Sequence, residues 1–574
     1  MSKKSIVKRN ASNEMRHVIP ELVNSHILYL LEDDIEKNKQ AYIYDSLHIL
    51  LNGNYDKYIF TSESINKIIN KSLDENEFQE LLSGLNEKTS TRRKNGVYYT
   101  PSDVSAFIIY NSIFQKIYKV NSNAPKVVNK DNFIKRCSIE KREETCNKII
   151  DITVFDPTCG TGQFLLKTLE IKIEALLRLK RQISVNDYLR LLNSIHGNDI
   201  NIESIEITKI RLFFYIFRFL KEMNEYDRLK QILNKNLLNH DFIEFNSENY
   251  GRYDLIIGNP PYVEDRKSSS KPKIKFGNIY ANVIKNSIDL LKDDGILGFI
   301  IPLSYVSTPR MGKIRAYVEK NTNYQCVFNY ADRPDCLFNS VHQKLSILIA
   351  QKGMQEHKLF TAGYKYWYKA ERENLFSNSA LQKNQFIKPS FYPKLGNKID
   401  NSIMKKVYTE TIHNLLDVAL SETGQNIFLN MRACFWIKAF SFNPGSREYK
   451  CFRYSIEIYD FILCLMNSSL FFWYWIAISD CWHITAKELK HMLVITEGID
   501  MDKYHRLSKR LENKLEETKK YIRTKQTEYE YKHKLCKDVI DEIDNELASA
   551  YNLTNEELNY IKSFSLKYRE SRGA

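Results

Sequence analysis

The chain has few cysteines, and they are not spaced as a metal site or a disulfide framework. Its 10 cysteines are scattered from Cys137 to Cys536, with no Cys-x-x-Cys pair. Zinc sites and disulfide frameworks depend on characteristic cysteine spacings, so this distribution argues against both and favours reduced thiols. We therefore expect no metal site and a cytoplasmic location.

Long hydrophobic runs are also missing. The longest apolar run covers residues 470–479, whereas a helix that spans a bilayer needs about 20 apolar residues. The basic residues 1–9 are not followed by the apolar segment of a signal peptide. These absences predict a soluble protein without a membrane partner.

The composition that is present indicates packed domains and a polyanionic partner. In 574 residues, 43% are hydrophobic and 12% aromatic, which excludes wholesale disorder and predicts several domains. Lys and Arg number 84 against 70 Asp and Glu, giving a net charge of +14 and a pI near 9.0. Such a balance favours nucleic acid as a partner.

The pattern along the chain changes several times. Residues 1–90 have helical periodicity and no acidic cluster followed by Glu-x-Lys, so we expect no fused nuclease there. Residues 149–350 alternate short apolar strands with amphipathic helices, which predicts a parallel α/β sheet. Residues 351–410 are basic, with 11 Lys/Arg against 5 Asp/Glu. Residues 503–570 are highly charged with helical spacing, which is typical of a helical hairpin.

Residues 259–262 read Asn-Pro-Pro-Tyr and follow an apolar run. Consecutive prolines force a rigid, extended turn, because proline fixes φ and restricts the residue before it. The turn holds two acceptors, the Asn259 amide oxygen and the Pro260 carbonyl, toward one point, and Tyr262 adds an aromatic face. This suits a planar ring with an exocyclic amino group; the alternative is a structural turn that caps a strand.

A second motif combines an apolar strand, a Gly-x-Gly turn and a helix. Asp156 ends the strand, and Gly160 and Gly162 let the backbone approach a ligand closely. The third glycine of a dinucleotide-binding pattern is missing. The acid before the loop favours a nucleoside with a positively charged amino-acid tail over a pyrophosphate. A simple strand–helix turn is the alternative.

Acidic residues also follow the next two strands. Asp199 is placed to bind a ribose diol, and Asp241 with Phe242 to grip an adenine ring. Each acid taken alone is more often a helix cap than a ligand. Together with Asp156 and the Asn-Pro-Pro-Tyr turn, they form a line along the carboxyl edge of the sheet, where ligands of open α/β folds bind.

The order of these motifs resembles the gamma-class, Taq-type adenine-specific DNA methyltransferases of restriction–modification systems. The resemblance covers roughly residues 95–350, and it rests on Tyr99-Thr100-Pro101, the loop 156–162, Asp199, Asp241 and the turn 259–262. Residues 410–500 are similar, less specifically, to the family's target-recognition domain.

The resemblance implies an α/β fold with a Rossmann-like methyltransferase sheet and helices on both faces. A mixed α/β target-recognition domain and a helical tail follow it toward the C-terminus. The implied divisions are a helical N-terminal region (1–94), a methyltransferase domain (95–350), a basic linker (351–410), the target-recognition domain (411–502) and the tail (503–574).

The implied cofactor is S-adenosyl-L-methionine. Thr100 and Pro101 would line its methionine tail, and Asp199 would bind its ribose hydroxyls with Ile200 against the adenine. The full set of implied cofactor-binding residues is Thr100, Pro101, Asp156, Gly160, Gly162, Asp199, Ile200, Asp241 and Phe242.

The implied substrate is an adenine flipped out of double-stranded DNA, at a cost of a few kcal/mol. Asn259 and the Pro260 carbonyl would accept hydrogen bonds from its amino group and direct the nitrogen lone pair at the methyl carbon. Tyr262 would stack on the ring. Phe338 matches the family's second base-stacking aromatic, and it fits a core phenylalanine at a loop–strand junction almost as well.

The sequence is also compatible with other functions and other contacts. The substrate could instead be RNA or a protein side chain, although the C-terminal extension and the charge disfavour a glutamine-modifying enzyme. The chain could also be a DNA-binding modification subunit that needs a partner, and a cognate restriction endonuclease is a further partner. Residues 266–275 suit either a mobile loop that closes over DNA or a solvated surface loop. Residues 365–369 suit phosphate contact and stacking. The recognised site and the oligomeric state are not specified by the sequence.

Overall fold

The structure is a computed structural model. It describes residues 100–118, 125–134, 141–179, 182–244, 246–338, 342–377, 379–411, 413–523 and 528–570. The helical region expected at 1–94 lies outside the described residues.

Nine strands form the main sheet, in the spatial order β3-β2-β1-β4-β5-β7-β6-β8-β9. Their bounds are β1 Val154–Asp156, β2 Ile195–Asn198, β3 Leu237–Leu238, β4 Tyr253–Gly258, β5 Leu291–Pro302, β6 Thr322–Tyr330, β7 Leu345–Lys352, β8 Lys358–Lys365 and β9 Gln382–Lys383. The first five strands have the order 3-2-1-4-5 of a Rossmann-type sheet. The expected α/β fold class is confirmed.

The sheet is mixed, which differs from the all-parallel arrangement that the alternating pattern predicts. Strands β1 to β5 pair in parallel, but β7 is antiparallel to both β5 and β6. The physical reason lies in the connection between β6 and β7. A parallel pair needs a crossover of a dozen or more residues, usually a helix, whereas the described residues of the segment 331–344 contain no helix and simply reverse the chain.

Helices pack on the faces of this sheet. Strands β6 and β7 are buried almost throughout, as expected for central strands covered on both faces. The α-helices up to the end of the sheet region are Ser102–Tyr118, Lys130–Ile134, Arg142–Asp151, Gln163–Leu179, Val185–Asn193, Ile202–Phe217, Met223–Asn236, Ile279–Leu290, Ser304–Ser307 and Gly312–Asn321.

The C-terminal part combines a small antiparallel sheet with helices. Strands β10 Gln425–Asn430, β11 Ala439–Phe440 and β12 Tyr449–Tyr454 pair in the order β11-β10-β12. In the part of the chain that the structure describes, no single helix could cross a membrane, and one helix pair of sufficient length and hydropathy is bent by 63°. The α-helices are Lys398–Val407, Tyr459–Asn467, Ser469–Ile478, Ala486–Lys490, Met501–Thr518, Lys537–Ala550, Asn555–Ser563 and Leu566–Arg569.

The charged tail packs back onto this part. Helices Met501–Thr518 and Lys537–Ala550 run antiparallel, joined by ion pairs that include Arg510–Glu542 at 2.6 Å. Between them lies a short hairpin of β13 Lys520–Tyr521 and β14 Tyr529–Glu530. The buried Asp544 carboxylate accepts from the backbone N–H of Leu470 at 3.2 Å, where a carboxylate stabilises a helix N-terminus.

The expected nucleic-acid contact at residues 365–369 is wrong for its central rings. Tyr366 and Trp367 are buried, and Tyr366 stacks on Tyr568 of the last helix with ring centroids 5.7 Å apart. The hydroxyl of Tyr368 donates to the backbone of Lys567. Tyr366 and Tyr368 therefore dock the last helix of the chain.

Candidate active site at the carboxyl ends of the strands

The strand order reverses between β1 and β4, and polar residues converge at this point. In open α/β sheets the crevice at such a reversal is where ligands bind. Asp156 ends β1 and Gly258 ends β4. A Cβ at Gly258 would lie only 2.6 Å from the Asp156 Oδ1, so glycine is what lets the two strand ends approach this closely.

The glycine loop leaves open space beside its backbone. Gly160 and Gly162 have φ angles of +55° and +80°, values that favour glycine. A Cβ at Gly160 would meet no atom within 4 Å. The Gly160 N–H donates to the Asp199 Oδ2 at 2.9 Å, so the loops after β1 and β2 are held together.

The helix Ile202–Phe217 supports the loop from below. The Thr208 hydroxyl donates to the Gly160 carbonyl at 3.0 Å, and the buried Arg211 guanidinium donates to the Thr161 carbonyl at 2.5 Å. Sequence reasoning missed both residues. The sequence signal for Arg211 was an arginine directly before the apolar run 212–217 of this helix, since a buried charge requires a polar partner.

Asp199 bridges the loop and the next helix. Its Oδ1 accepts from the Asn201 N–H at 2.8 Å, while Asn201 itself caps the helix that follows. Ile200 beside it is 60% exposed. The structure thus places Asp199 and Ile200 next to Gly160, and their contacts with ribose and adenine stay predictions.

Asp241 and Phe242 follow β3. The Asp241 Oδ1 accepts from the Ile243 N–H at 2.8 Å. Phe242 is 3% exposed, and its ring lies 5.9 Å from Phe155 and 5.4 Å from Tyr250. Phe242 is therefore packed in the core, and its contact with an adenine ring stays a prediction.

Asn198 is a positioning residue that sequence reasoning missed. Its side chain donates to the Pro157 carbonyl and to the His240 carbonyl, each at 3.0 Å. Its Oδ1 accepts from the His240 N–H at 3.0 Å. One buried amide therefore ties together the loops after β1, β2 and β3. The sequence signal for Asn198 was a polar residue at the end of a predicted strand, because a buried polar side chain needs hydrogen-bond partners.

Asp156 has an unusual electrostatic environment. The residue is 1% exposed, and its Oδ1 accepts from the Thr158 N–H at 3.0 Å. Burial raises the pKa of Asp156 well above its ordinary value of 3.8, and the charge of Asp199 raises it further. A cation beside this carboxylate would be favoured, because it would compensate the buried negative charge.

The Asn-Pro-Pro-Tyr turn lies at the end of β4 and meets the start of the described chain. The Asn259 Nδ2 donates to the Thr100 Oγ1 at 3.1 Å. Thr100 is buried, and Pro101 precedes the helix Ser102–Tyr118 directly. The Thr-Pro motif and the Asn-Pro-Pro-Tyr motif, far apart in sequence, are thus brought together. Pro260 is buried within the turn.

Tyr262 borders a cavity of about 600 Å³, and its hydroxyl donates to the Ile300 carbonyl at 3.1 Å. Phe338 is 1% exposed and belongs to the hydrophobic core. Its role as a second stacking residue stays a prediction. Among the described residues, no group of His, Cys, Asp and Glu is arranged to hold a metal ion.

Comparisons with known proteins agree with this site. Residues 193–336 match the family model described as Eco57I restriction-modification methylase. Type II methyltransferase M.BstVI of Geobacillus stearothermophilus is 23% identical over 183 residues, which are 29% of this chain and 31% of that protein. Type II restriction enzyme and methyltransferase RM.Eco57I of Escherichia coli is 24% identical over 186 residues, 29% of this chain and 18% of that protein. The chain therefore spans less than half the length of these relatives.

Two of the solved structures that the chain resembles are restriction–modification proteins. The ATP-dependent Type ISP restriction-modification enzyme LlaBIII, bound to DNA, has a TM-score of 0.41 and 15% identity, over 72% of this chain and 30% of that one. The type IIG restriction endonuclease BpuSI has a TM-score of 0.41 and 13% identity, over 96% of this chain and 77% of that one. Scores this low carry no functional argument.

Proposed function

We propose that this chain, whose residues 193–336 match the family model described as Eco57I restriction-modification methylase, is a site-specific adenine DNA methyltransferase. It transfers a methyl group from S-adenosyl-L-methionine to the exocyclic amino nitrogen of a flipped adenine in double-stranded DNA. The observation that supports this best is the meeting of Asn259 with Thr100 beside the glycine loop. Modification by the chain protects DNA in a restriction–modification system, with a cognate endonuclease as partner.

The residues around the glycine loop fit the proposed cofactor. Open space beside Gly160 accommodates a ligand against the backbone, and Ile200 offers an exposed apolar surface to an adenine ring. Asp199 and Asp241 supply acceptors for hydroxyl and amino groups. The buried Asp156 carboxylate favours a cationic ligand. When bound, S-adenosylmethionine supplies a methyl group activated by a cationic sulfonium.

The remaining chemistry is performed by the Asn-Pro-Pro-Tyr turn. Asn259 Oδ1 and the Pro260 carbonyl accept hydrogen bonds from the adenine amino group, which draws the nitrogen lone pair out of ring conjugation. The Nδ2 bond to Thr100 fixes which end of the Asn259 amide carries the donor, and it thereby sets the direction of Oδ1. Tyr262 stacks on the flipped ring, which offsets about 1–3 kcal/mol of the cost of flipping. Alignment and electrostatics then provide most of the rate.

Incubation of the purified protein with methyl-labelled S-adenosylmethionine and unmodified genomic DNA tests the proposal. We expect label in DNA, and N6-methyladenine at one short sequence when modified bases are mapped by single-molecule sequencing. Asn259→Ala should abolish transfer while the cofactor still binds, as measured by calorimetry. Transfer to RNA or to protein in parallel reactions, with none to DNA, would overturn the choice of substrate.

A second arm tests whether the chain acts alone. If label enters DNA only after addition of cell extract from the source strain, the chain is a modification subunit that needs a partner.

Near-normal methylation by Asn259→Ala would show that the assignment of this residue is wrong.

A further inference from the structure

The cavity beside Tyr262 is lined from separate parts of the chain. Tyr262 follows β4, Pro302 ends β5, and Lys344 directly precedes β7. Asp480 and Trp482 come from the segment after the helix Ser469–Ile478. The C-terminal part of the chain therefore contributes a wall to the same cavity as the catalytic turn.

Trp482 holds two cations against its ring. The Lys344 Nζ lies 4.8 Å and the Arg333 Cζ 5.2 Å from the ring centroid. We call these three residues the Trp482 cluster. Each cation is attracted by the ring quadrupole, but the two like charges lie within about 10 Å of each other and repel. An anion close to both cations would reduce this repulsion.

Two acids, Asp332 and Asp480, lie beside the cluster, and Arg333 is its exposed cation. The Lys344 Nζ pairs with Asp332 at 3.2 Å, which neutralises one of the two charges. The Asp480 Oδ1 accepts from the N–H of Trp482 at 2.9 Å and of His483 at 2.7 Å, and its Oδ2 lies 2.7 Å from the His483 Nδ1. Arg333 is exposed, so its guanidinium is accessible from the solvent.

Backbone hydrogen bonds hold the cluster in place. The Trp482 carbonyl accepts from the Ala433 N–H at 3.1 Å, and the Lys344 carbonyl accepts from the Leu303 N–H at 3.0 Å. Only 15% of the Lys344 side chain is exposed. Preorganised cations lose little freedom when they bind a ligand.

We propose that the Trp482 cluster binds the phosphate groups that flank the flipped nucleotide. This inference rests on the proposed function and adds a substrate contact to it. A flipped base rotates about its own backbone, so the adjacent phosphates stay at the mouth of the cavity that receives the base. Arg and Lys are the side chains that bind phosphate, Arg through its planar fork. Because cations cover the Trp482 ring, Tyr262 is the residue that stacks on the base.

A double-mutant cycle between protein and DNA tests the inference. The probe is a fluorescent duplex carrying the methylated sequence found by mapping, compared with a duplex whose phosphate on either side of the target adenine is an uncharged methylphosphonate. Binding is measured by anisotropy at fixed salt for the wild type, Arg333→Gln, Lys344→Gln and Trp482→Leu. Lys450→Gln is the matched control, because Lys450 also lies over a ring, that of Phe452 at 5.2 Å, outside this cavity.

We expect one methylphosphonate to weaken wild-type binding about tenfold, and to have an effect of less than twofold on Arg333→Gln and Lys344→Gln. The methylphosphonate should weaken binding by the control variant Lys450→Gln by the full factor of about ten. Trp482→Phe should retain the coupling that Trp482→Leu loses, and cofactor affinity unchanged in all variants reports correct folding. The inference is overturned if wild type methylates the duplex but the methylphosphonate weakens binding by the same factor in wild type, Arg333→Gln and Lys344→Gln. If wild type methylates no DNA, the proposed function is overturned and the inference with it.

Discussion

Thr100 accepts a hydrogen bond from the Asn259 side chain at 3.1 Å, across 159 positions of sequence. The bond joins the residue proposed to contact the cofactor's methionine tail to the residue proposed to hold the target amino group. The orientation of the Asn259 amide therefore depends on the Thr100 hydroxyl, which lies on the proposed cofactor side of the site.

Replacing Thr100 by Val should slow methyl transfer. The substitution keeps the branched shape and removes the acceptor, so we expect kcat to fall about two- to tenfold, as for the loss of one hydrogen bond. The KM for DNA should change little. Thr100→Ser, which keeps the hydroxyl, should restore most of kcat in single-turnover assays, and an equal defect in both variants would contradict the role of the bond.

Asp156 should make cofactor affinity depend on pH. Below the raised pKa of this buried carboxyl the group is neutral; above it, the carboxylate attracts the cationic sulfonium. We therefore expect the preference for S-adenosylmethionine over the uncharged S-adenosylhomocysteine to increase about tenfold as pH rises through that pKa. Calorimetric titrations of both ligands measure the ratio, in which contributions from their shared amino-acid groups cancel. The ratio should be low and independent of pH in Asp156→Asn.

Tyr262 should matter less when the target adenine is already unpaired. Tyr262→Ala should lower kcat/KM about 5- to 150-fold on a normal duplex, which corresponds to the loss of one stacking contact. A mismatch opposite the target reduces the cost of flipping, so the defect should shrink on that substrate. Tyr262→Phe, which lacks only the hydroxyl bonded to the Ile300 carbonyl, is the control. A defect of the same size on both duplexes would count against stacking.

His533 should make the C-terminal part sensitive to acid. Burial, together with the charge of Lys438, lowers the pKa of His533 to about 3, while its Nε2 lies 3.0 Å from the Asn467 Oδ1. The folded state therefore favours the neutral ring. The contribution of His533 to the free energy of unfolding is complete above pH 6.5. It is lost as pH falls from 6.5 toward 3, by about 1.4 kcal/mol for each pH unit.

Chemical denaturation of wild type and His533→Gln at several pH values measures this effect. The variant cannot titrate, so the difference between the two proteins should decline across that interval. A difference that is constant with pH would contradict the prediction. Using the difference removes contributions from other groups, such as His196.

The sequence predicts the candidate site at the carboxyl edge of the sheet better than the rest of the molecule. Two apolar runs end at Asp156 and Gly258, and proline or glycine follows each of them closely. These signals can be recognised within a short stretch of sequence. The antiparallel direction of β7 is set by how residues 331–344 reverse the chain, which no local pattern encodes. Contacts such as that of Arg211 with the Thr161 carbonyl depend on tertiary packing. The burial of Phe242 and Phe338 likewise depends on which residues from distant parts of the chain pack against each ring.

The shared cavity has a consequence for engineering. Chimeras that exchange residues 411–502, the predicted target-recognition domain, would also replace Asp480 and Trp482. Such a swap removes the aromatic support of Arg333 and Lys344, both of which stay behind in the recipient. Hybrids joined after Trp482 would keep the recipient's own tryptophan together with the two cations that depend on it.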